Sequence, residues 1–346
     1  MSPNQNESEA TSTKPSVAAP GVAASKDPTW VPKKDGVAVL PIKNAYNLEV
    51  THATFDRPEF RQVFPTETYP PIPHATVRHI APKIGTELSG IQLHELTDAQ
   101  KDELALLTAQ RGVVFLVDQQ ITPTQQLELG RYWGPLHVHA MLGHVQGEPE
   151  LFVVEATVET SEQILHAQSE LVSEWHSDVT YERQPPSYTT LRAHAAPDVG
   201  ADTIWASSYE AYDRLTPAFQ QFAETAIANG KTLRRPIVEF EHPVVRTHPV
   251  TKRKALFVNP LFTTRIKNLS RAESDAVLRF LNTHIVQGHE FQVRYHLAKN
   301  MVALWDNRIS THAATFDFLP GNRLATRVTT HGEIPYFDKG DADARP

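Results

Sequence analysis

The segment 174–182, with the sequence EWHSDVTYE, places a histidine and an aspartate two residues apart in a run of aromatic and β-branched residues. Because successive side chains of a strand alternate between its faces, a strand here puts His176 and Asp178 on the same side. Together they offer two ligands to one small ion. A His-x-Asp pair is also compatible with a structural hydrogen bond in which the carboxylate fixes the imidazole tautomer. Other residues must therefore decide between a ligand pair and a structural pair.

A second histidine, His312, follows the apolar run MVALW and the segment WDNR at 305–308. Two histidines and one carboxylate form a ligand set that leaves three positions free on one side of an Fe(II) ion. His176, Asp178 and His312 would supply that set. Zinc accepts the same ligands with an open fourth position, so the ligand types alone leave both metals possible.

Two arginines follow His312 on a predicted strand. Arg323 and Arg327 lie four residues apart, so both guanidinium groups point to one face, which we expect a histidine ligand on a neighbouring strand to share. Inward-pointing arginines are costly in a barrel unless anions meet them, although a surface or ion-paired position also fits the pattern. Guanidinium binds carboxylate in a bidentate fork, which favours a site for an anionic substrate or cosubstrate.

Composition limits the other classes of function. Forty acidic and 33 basic residues give a formal charge of −7, which argues against nucleic acid or an anionic membrane as a partner. The absence of cysteine excludes disulfides, thiolate nucleophiles and Cys-ligated metal sites. No apolar run approaches the roughly 18 residues of a membrane span and the N-terminus lacks the order of a signal peptide, so we expect a cytoplasmic protein.

Capping signals predict five helices that begin after Thr97, Thr122, Ser207, Thr216 and Ser270, with the fourth ending at 229–230. Short apolar or alternating segments predict strands at 112–118, 151–155, 175–181, 188–195, 202–206, 244–249, 254–259, 291–297, 301–306, 311–318 and 324–331. Many short strands without a repeated strand–helix–strand order favour a mainly β fold with flanking helices, built on a double-sheet antiparallel barrel.

The ends of the chain differ from its centre in composition. Residues 1–28 are rich in Ser, Thr, Ala and Pro, which predicts a disordered tail. Residues 29–75 carry isolated aromatics and many prolines, as expected of an N-terminal arm draped over a domain. We expect one domain at 76–338 and a short C-terminal tail at 339–346.

Several motifs in one order resemble the taurine dioxygenase-like family of Fe(II)/2-oxoglutarate-dependent oxygenases over residues 76–338. They are WHSDVTY, DTIWAS, HPVVRTHPV, ALFVN, FTTRI, FQVRY, WDNR, His312 and the pair Arg323 and Arg327. The resemblance implies a double-stranded β-helix, which is a jelly-roll fold of the cupin type. The arm and the long segment 156–173 are similar to those of fungal members, some of which use sulfonates.

The same resemblance implies roles for individual residues. The implied Fe(II) ligands are His176, Asp178 and His312. The residues implied to hold the distal carboxylate of 2-oxoglutarate are Thr203 and Arg323, and those implied to contact substrate are Arg327, His139 and Phe262. Three of these assignments have simpler alternatives, because Phe262 fits a core aromatic, Thr203 an ordinary β-former and His139 a turn cap.

Two pocket positions depart from the members that are specific for taurine. The polar tyrosine and asparagine of those members align with Leu142 and Val172. A more apolar pocket favours a longer alkyl chain over a compact zwitterion.

The activity implied by the resemblance uses Fe(II), O2 and the cosubstrate 2-oxoglutarate. It hydroxylates the carbon next to the sulfonate or sulfate ester of a small anionic substrate, and it releases an aldehyde with sulfite or sulfate, beside succinate and CO2. One alternative is the same chemistry on an aryloxyalkanoate, another carboxylate or a specialised metabolite. A more distant alternative is a zinc hydrolase or a non-catalytic cupin-like binding protein. The resemblance also suggests a homo-oligomer.

Overall fold

The computed structural model describes residues 75–139, 143–157, 174–232, 237–318 and 321–339. The expected tail at 1–28, the expected arm except residue 75, and residues 340–346 lie outside the described residues, as do Leu142 and Val172. Within the described ranges, no helix is long and apolar enough to cross a membrane.

The largest sheet among the described residues has eight strands. They are β1 (Thr76–His79), β2 (Thr86–Ser89), β3 (Val113–Leu116), β4 (His144–Val145), β5 (Glu148–Ala156), β6 (Pro186–Ala195), β14 (Val302–Asp306) and β16 (Arg323–His331). Their order is β1–β2–β3–β14–β6–β16–β5–β4. Neighbours are antiparallel except β2 and β3, which run parallel.

The second sheet faces the first. It consists of β7 (Thr203–Ser207), β13 (Gln292–Tyr295) and β15 (Ser310–Ala314), with β7 in the middle. His176 extends this sheet by an antiparallel bridge to His312 on β15. The remaining strands form a three-stranded sheet and a hairpin: β8 (Ile227–Lys231), β9 (Glu239–Pro243) and β12 (Thr263–Ile266), and β10 (Val245–Thr247) with β11 (Lys254–Leu256).

The interior between the two facing sheets is apolar over much of its length. Phe115 on the large sheet and Trp205 on the second sheet pack edge to face with ring centroids 5.3 Å apart. The cluster includes side chains from both sheets: Val113, Phe115, Leu191, Ala193, Trp205, Val293, Trp305 and Ala325. Burying one large side chain of this kind contributes about 1.5–3 kcal/mol. Two facing and mostly antiparallel sheets with helices outside confirm the predicted fold class.

Five α-helices flank the sheets in the described part of the chain. They are α1 (Asp98–Arg111), α2 (Pro123–Trp133), α3 (Ser208–Asp213), α4 (Pro217–Thr225) and α5 (Arg271–Val286). Thr97, Thr122 and Ser270 form the predicted capping boxes. Each such cap stabilises its helix by about 1 kcal/mol. The predicted helix starts are therefore confirmed.

One predicted helix end is wrong. We expected the fourth helix to reach 229–230, but α4 ends at Thr225 and residues Ile227–Lys231 form β8. β8 lies between β9 and β12 and is hydrogen-bonded to both. Pairing on both edges outweighs the local helical tendency of the sequence, because a central strand satisfies its backbone groups without a helix.

The predicted strand at 175–181 is also wrong over most of its length. His176 makes a bridge, but residues 178–181 form a turn. Strand alternation therefore does not explain why Asp178 lies beside His176. Among the described residues, the pattern also gave no sign of the strands β1, β2, β4, β8, β9 and β12, which have five residues or fewer.

Candidate active site

The two histidines of the site lie on adjacent strands. His312 lies in β15, and its backbone exchanges two hydrogen bonds with His176, at 2.7 Å from His312 N to His176 O and 2.9 Å in the reverse direction. Residues that are directly opposite in an antiparallel pair project to the same face of the sheet. The two imidazole centroids accordingly lie 4.4 Å apart on the interior side.

Asp178 completes the group from a turn. Its Oδ1 atom lies 3.7 Å from Nε2 of His176 and 3.8 Å from Nε2 of His312. The three donor atoms lie within 4.8 Å of one another. Both distances are too long for hydrogen bonds, so three lone-pair donors converge without bonding one another. This arrangement fits a small cation at their centre.

The hydrogen bonds and charges around these residues suit metal binding. Nδ1 of His176 donates to the carbonyl oxygen of Glu174 at 2.6 Å, which leaves Nε2 as the lone-pair atom that faces the site. Burial and the nearby His176 lower the pKa of His312 well below its ordinary value, so its ring is neutral. Burial alone would raise the pKa of Asp178, but Arg327 and the histidines outweigh it and hold the carboxyl ionised. Metal ligands require neutral imidazole and ionised carboxylate.

Arg323 and Thr203 meet across the barrel. Arg323 begins β16 in the large sheet, Thr203 begins β7 in the second sheet, and Nη2 of Arg323 donates to the threonine hydroxyl at 3.0 Å. Arg323 is 8% exposed, and burial lowers its pKa to about 10. Among the described residues it forms no ion pair. A buried guanidinium held only by a hydroxyl is incomplete, and a carboxylate would complete it.

Arg327 lies in the same barrel, with its guanidinium 4.9 Å from the ring centre of Phe152 and 5.3 Å from that of Trp305. It also contacts the carboxylate of Asp178. We expected both arginines to lie on a strand next to that of His312, but β16 pairs with β5 and β6, whereas His312 is on the facing sheet. The two arginines and His312 face one interior, as expected, but they reach it from opposite sheets.

His139 and Phe262 border the same space from two loops. The ring of Phe262 lies 5.9 Å from that of His176, and the ring of His139 lies 5.6 Å from that of Phe152. Burial, together with the charges of His137 and Arg327, lowers the pKa of His139 to about 3, so this ring is neutral. All eight residues singled out in the sequence therefore border one interior region of the protein.

Several residues that support the site had no predicted role. Asn307, within the WDNR motif, accepts a hydrogen bond at 3.2 Å from the backbone N–H of Asp178. His137 bonds the carboxylate of Glu182 at 3.0 Å, which ties the loop that carries His139 to the segment 174–182. The motifs containing these residues were visible in the sequence, but their contacts span more than 40 residues and leave no local signal.

Five charged or titratable residues form a second buried group below the turn between β14 and β15. We call this group the Asp306 cluster; its members are Asp306, Arg308, His248, Arg246 and Glu333. The hydroxyl of Ser310, which begins β15, donates to the carbonyl oxygen of Asp306 at 2.7 Å. The cluster therefore supports the start of the strand that carries His312.

Two facing sheets that enclose two histidines, a carboxylate and buried arginines are the architecture of a jelly-roll oxygenase. The chain belongs to the family described as "Taurine catabolism dioxygenase TauD, TfdA family", whose model matches residues 76–329. The resemblance seen in the motifs is thereby confirmed. The chain is accordingly a 2-oxoglutarate-dependent dioxygenase, which is an oxidoreductase, and the family implies iron and O2 with it.

Individual relatives agree with this assignment. The chain is 40% identical over 280 residues to an "Alpha-ketoglutarate-dependent sulfonate dioxygenase" of Saccharomyces cerevisiae, with 76% of this chain and 68% of that protein covered. It is 30% identical to an "Alpha-ketoglutarate-dependent sulfate ester dioxygenase" of Pseudomonas putida, with coverage of 76% and 92%. A solved taurine dioxygenase from Burkholderia xenovorans superposes with a TM-score of 0.70 at 30% identity, covering 78% of this chain and 93% of that one.

Proposed function

We propose that this chain is an Fe(II)- and 2-oxoglutarate-dependent dioxygenase that hydroxylates the carbon next to the sulfonate or sulfate ester group of an alkyl substrate. The observation that carries the proposal is the convergence of His176, Asp178 and His312 on one point, with Nε2 to Oδ1 distances of 3.7 and 3.8 Å. Two histidines and a carboxylate leave open positions on iron for a cosubstrate and oxygen. Fe(II), when bound there, supplies oxygen activation coupled to the oxidative decarboxylation of 2-oxoglutarate to succinate and CO2.

Arg323 and Thr203 hold the distal carboxylate of 2-oxoglutarate. Trp205, which is opposite His312 in the pairing of β7 with β15, is two residues from Thr203. Two residue steps along a strand span roughly 7 Å. A five-carbon dicarboxylate held at Thr203 therefore extends toward the donors of the metal site, where its other end has ligand positions available.

Arg327 holds the anionic head of the substrate. Its guanidinium lies between the rings of Phe152 and Trp305, which shield it from water and so strengthen its attraction for an anion. The contact with Asp178 keeps it next to the metal site. An anion bound to Arg327 presents its adjacent carbon to that site. Phe262 and His139 border the remaining space and position the alkyl chain.

Hydroxylation at that carbon explains the products. A carbon that carries both a hydroxyl and a sulfonate or sulfate oxygen collapses to an aldehyde. The hydroxyl proton is lost, and the bonding pair of the C–S or C–O bond leaves with sulfite or sulfate. The names of the relatives from Saccharomyces cerevisiae and Pseudomonas putida support a sulfonate and a sulfate ester as substrates to test.

The test is succinate formation from 2-oxoglutarate by the Fe(II)-loaded protein, with sulfite and sulfate measured in parallel. The panel contains taurine, longer alkanesulfonates, alkyl sulfates, aryloxyacetates and simple carboxylates. We expect succinate coupled to sulfite or sulfate, and loss of that coupling in Arg327→Ala. Succinate with carboxylates alone would keep the oxygenase and overturn the sulfur substrate. The absence of succinate with every compound would overturn the proposed chemistry.

A further inference from the structure

The backbone at Asp178 lacks the support that a strand would give it. Asp178 begins a turn, and the next residue, Val179, has a φ of 39°. A β-branched residue in the left-handed region is strained, so this conformation persists only where surrounding contacts hold it. The position of the Asp178 carboxylate therefore depends on what fixes this turn.

Asn307 fixes the turn at Asp178 itself. Oδ1 of Asn307 accepts from the backbone N–H of Asp178 at 3.2 Å and from Nε1 of Trp305 at 3.1 Å. Its Nδ2 donates to the carbonyl oxygen of Ser187 at 3.1 Å and to the hydroxyl of Thr189 at 2.8 Å. The side chain is 1% exposed. Both acceptor positions and both donor hydrogens of the amide are thus used.

This bonding pattern admits one orientation of the amide. Ser187 offers a carbonyl oxygen, which only accepts, so the NH2 group must face β6 and the oxygen must face Asp178. Asp178 is thereby tied to the large sheet. The preceding residue is tied to the second sheet, because the hydroxyl of Ser177 donates to the carbonyl oxygen of Ser310 at 2.7 Å. The segment that carries the carboxylate is held from both walls of the barrel.

We propose that Asn307 is a positioning residue that holds the Asp178 carboxylate in reach of a metal shared with the two histidines. The inference rests on the proposed role of Asp178 as a ligand. Without the amide oxygen, the N–H of Asp178 loses its partner and the strained turn at Val179 loses a restraint. The carboxylate then occupies its ligand position for a smaller fraction of the time, and the metal binds more weakly.

The test measures metal affinity directly. Isothermal titration calorimetry with Co²⁺ compares the wild type with Asn307→Ala, in the absence of 2-oxoglutarate and substrate. We expect the dissociation constant to rise about 10–100-fold, as is usual when a residue that orients a metal ligand is removed. At saturating Fe(II), most of the activity should return, which a loss of folded protein would not allow.

The chain offers a matched control on the opposite face of the large sheet. Gln126 is also 1% exposed, and its amide makes four hydrogen bonds, to Thr190 and Thr326 on β6 and β16. Gln126→Ala removes a buried amide of the same capacity without a contact to Asp178. We expect it to lower the melting temperature as Asn307→Ala does, and to leave the Co²⁺ dissociation constant unchanged.

A milder pair of variants covers the case in which Asn307→Ala does not fold. Thr189→Val removes one bond that orients Asn307 and leaves Asn307 in place, whereas Thr190→Val removes the corresponding bond to Gln126. We expect a rise of roughly 3-fold in the Co²⁺ dissociation constant for the first variant only.

The outcomes distinguish a failure of the proposed function from a failure of the proposed role of Asn307. If the wild type binds no Co²⁺, the metal site and the proposed function fail together. If the wild type binds Co²⁺ and Asp178→Ala does not, the metal site stands. In that case, equal affinities for the wild type, Asn307→Ala and Thr189→Val would overturn the role of Asn307 alone.

Discussion

The described part of the chain contains two buried groupings of histidine with aspartate, and they are built differently. In the Asp306 cluster, Nε2 of His248 lies 3.1 Å from Oδ2 of Asp306, within hydrogen-bond distance. Around Asp178, the Nε2 atoms of His176 and His312 lie 3.7 and 3.8 Å from the carboxylate, beyond that distance. His248 and Asp306 bond each other directly, whereas the donors around Asp178 leave lone pairs directed at a common point.

The Asp306 carboxylate is bonded by Arg308 as well as by His248. Arg308 donates from Nε to Oδ1 at 2.7 Å and from Nη2 to Oδ2 at 2.6 Å. Burial alone would raise the pKa of Asp306, but the charge of Arg308 outweighs it and holds the pKa well below its ordinary value. A buried His–Asp pair therefore indicates a ligand site only when its donors converge without bonding one another.

The largest expected effect comes from removing a histidine of the grouping around Asp178. His176→Ala removes one of the three donors, so succinate formation from 2-oxoglutarate should fall to the background of a metal-free sample. The side chain of His176 is 22% exposed, and we expect its removal to change the free energy of unfolding by about 1 kcal/mol or less. Succinate assays and denaturant unfolding on the same preparation check both expectations. Near-normal turnover would remove His176 from the site.

Removing the carboxylate of the Asp306 cluster should have the opposite effect, because it should lower stability and leave metal binding intact. Asp306→Ala removes the carboxylate that Arg308 contacts at 2.6 and 2.7 Å and leaves it only the longer contact with Glu333. Losing one partner of a buried ion pair costs about 3–5 kcal/mol of folding stability. We expect a large fall in the free energy of unfolding measured with urea. Whatever folded protein remains should still bind Fe(II). A variant as stable as the wild type would show that the cluster does not carry the stability assigned to it.

The anion site at Arg323, next to the grouping around Asp178, gives a third comparison. Arg323→Ala removes a charge-assisted partner from 2-oxoglutarate and should weaken its binding by about 2–5 kcal/mol. The control is Arg294→Ala on the surface, where a side chain 52% exposed pairs with Asp202 and Asp317. We expect no change in 2-oxoglutarate affinity for that variant. An unchanged affinity in Arg323→Ala, measured by anaerobic titration, would place the carboxylate elsewhere.

A smaller effect comes from a histidine whose partner is a hydroxyl rather than a carboxylate. Nε2 of His194 lies 2.8 Å from Oγ1 of Thr326. Burial, together with the charge of Arg192, lowers the pKa of His194 to about 3. Below the ordinary value of 6.5 the unfolded chain takes up a proton that the folded chain does not, so stability falls as pH drops from 6.5 toward 3. The slope is at most about 1.4 kcal/mol per pH unit for one group.

The variant His194→Gln isolates this contribution. Glutamine does not titrate, so the variant should lose less stability than the wild type between pH 6.5 and pH 5, and the two slopes should be equal above pH 7. Urea unfolding at three pH values measures the difference. Parallel slopes throughout would show that His194 titrates normally in the folded protein.

The sequence predicted what depends on local chemistry. The capping boxes at Thr97, Thr122 and Ser270 were correct because a cap involves residues only three positions apart. The eight site residues come from motifs that occur in the order typical of the family, and the structure places them around one interior region. Their surroundings in the structure agree with the roles assigned, and those roles stay predictions until the variants are measured.

What the sequence did not predict depends on long-range pairing. Residues Ile227–Lys231 look helical alone and become β8 because β9 and β12 lie on both sides. Asp178 reaches its place through a turn held by Asn307, a contact over 129 residues. The Asp306 cluster joins His248 and Glu333 from distant segments, so no short pattern shows it. Leu142 and Val172, from which we expect a preference for a longer alkyl chain, lie outside the described residues.

Counting the Fe(II) bound per chain under anaerobic conditions tests the proposed metal site most directly. The comparison is between the wild type, Asp178→Ala at that site and His248→Gln in the Asp306 cluster. We expect one Fe(II) per chain in the wild type and in His248→Gln, and none in Asp178→Ala at the same concentrations. No iron in the wild type, or undiminished iron in Asp178→Ala, would show that Asp178 and the two histidines do not form an iron site.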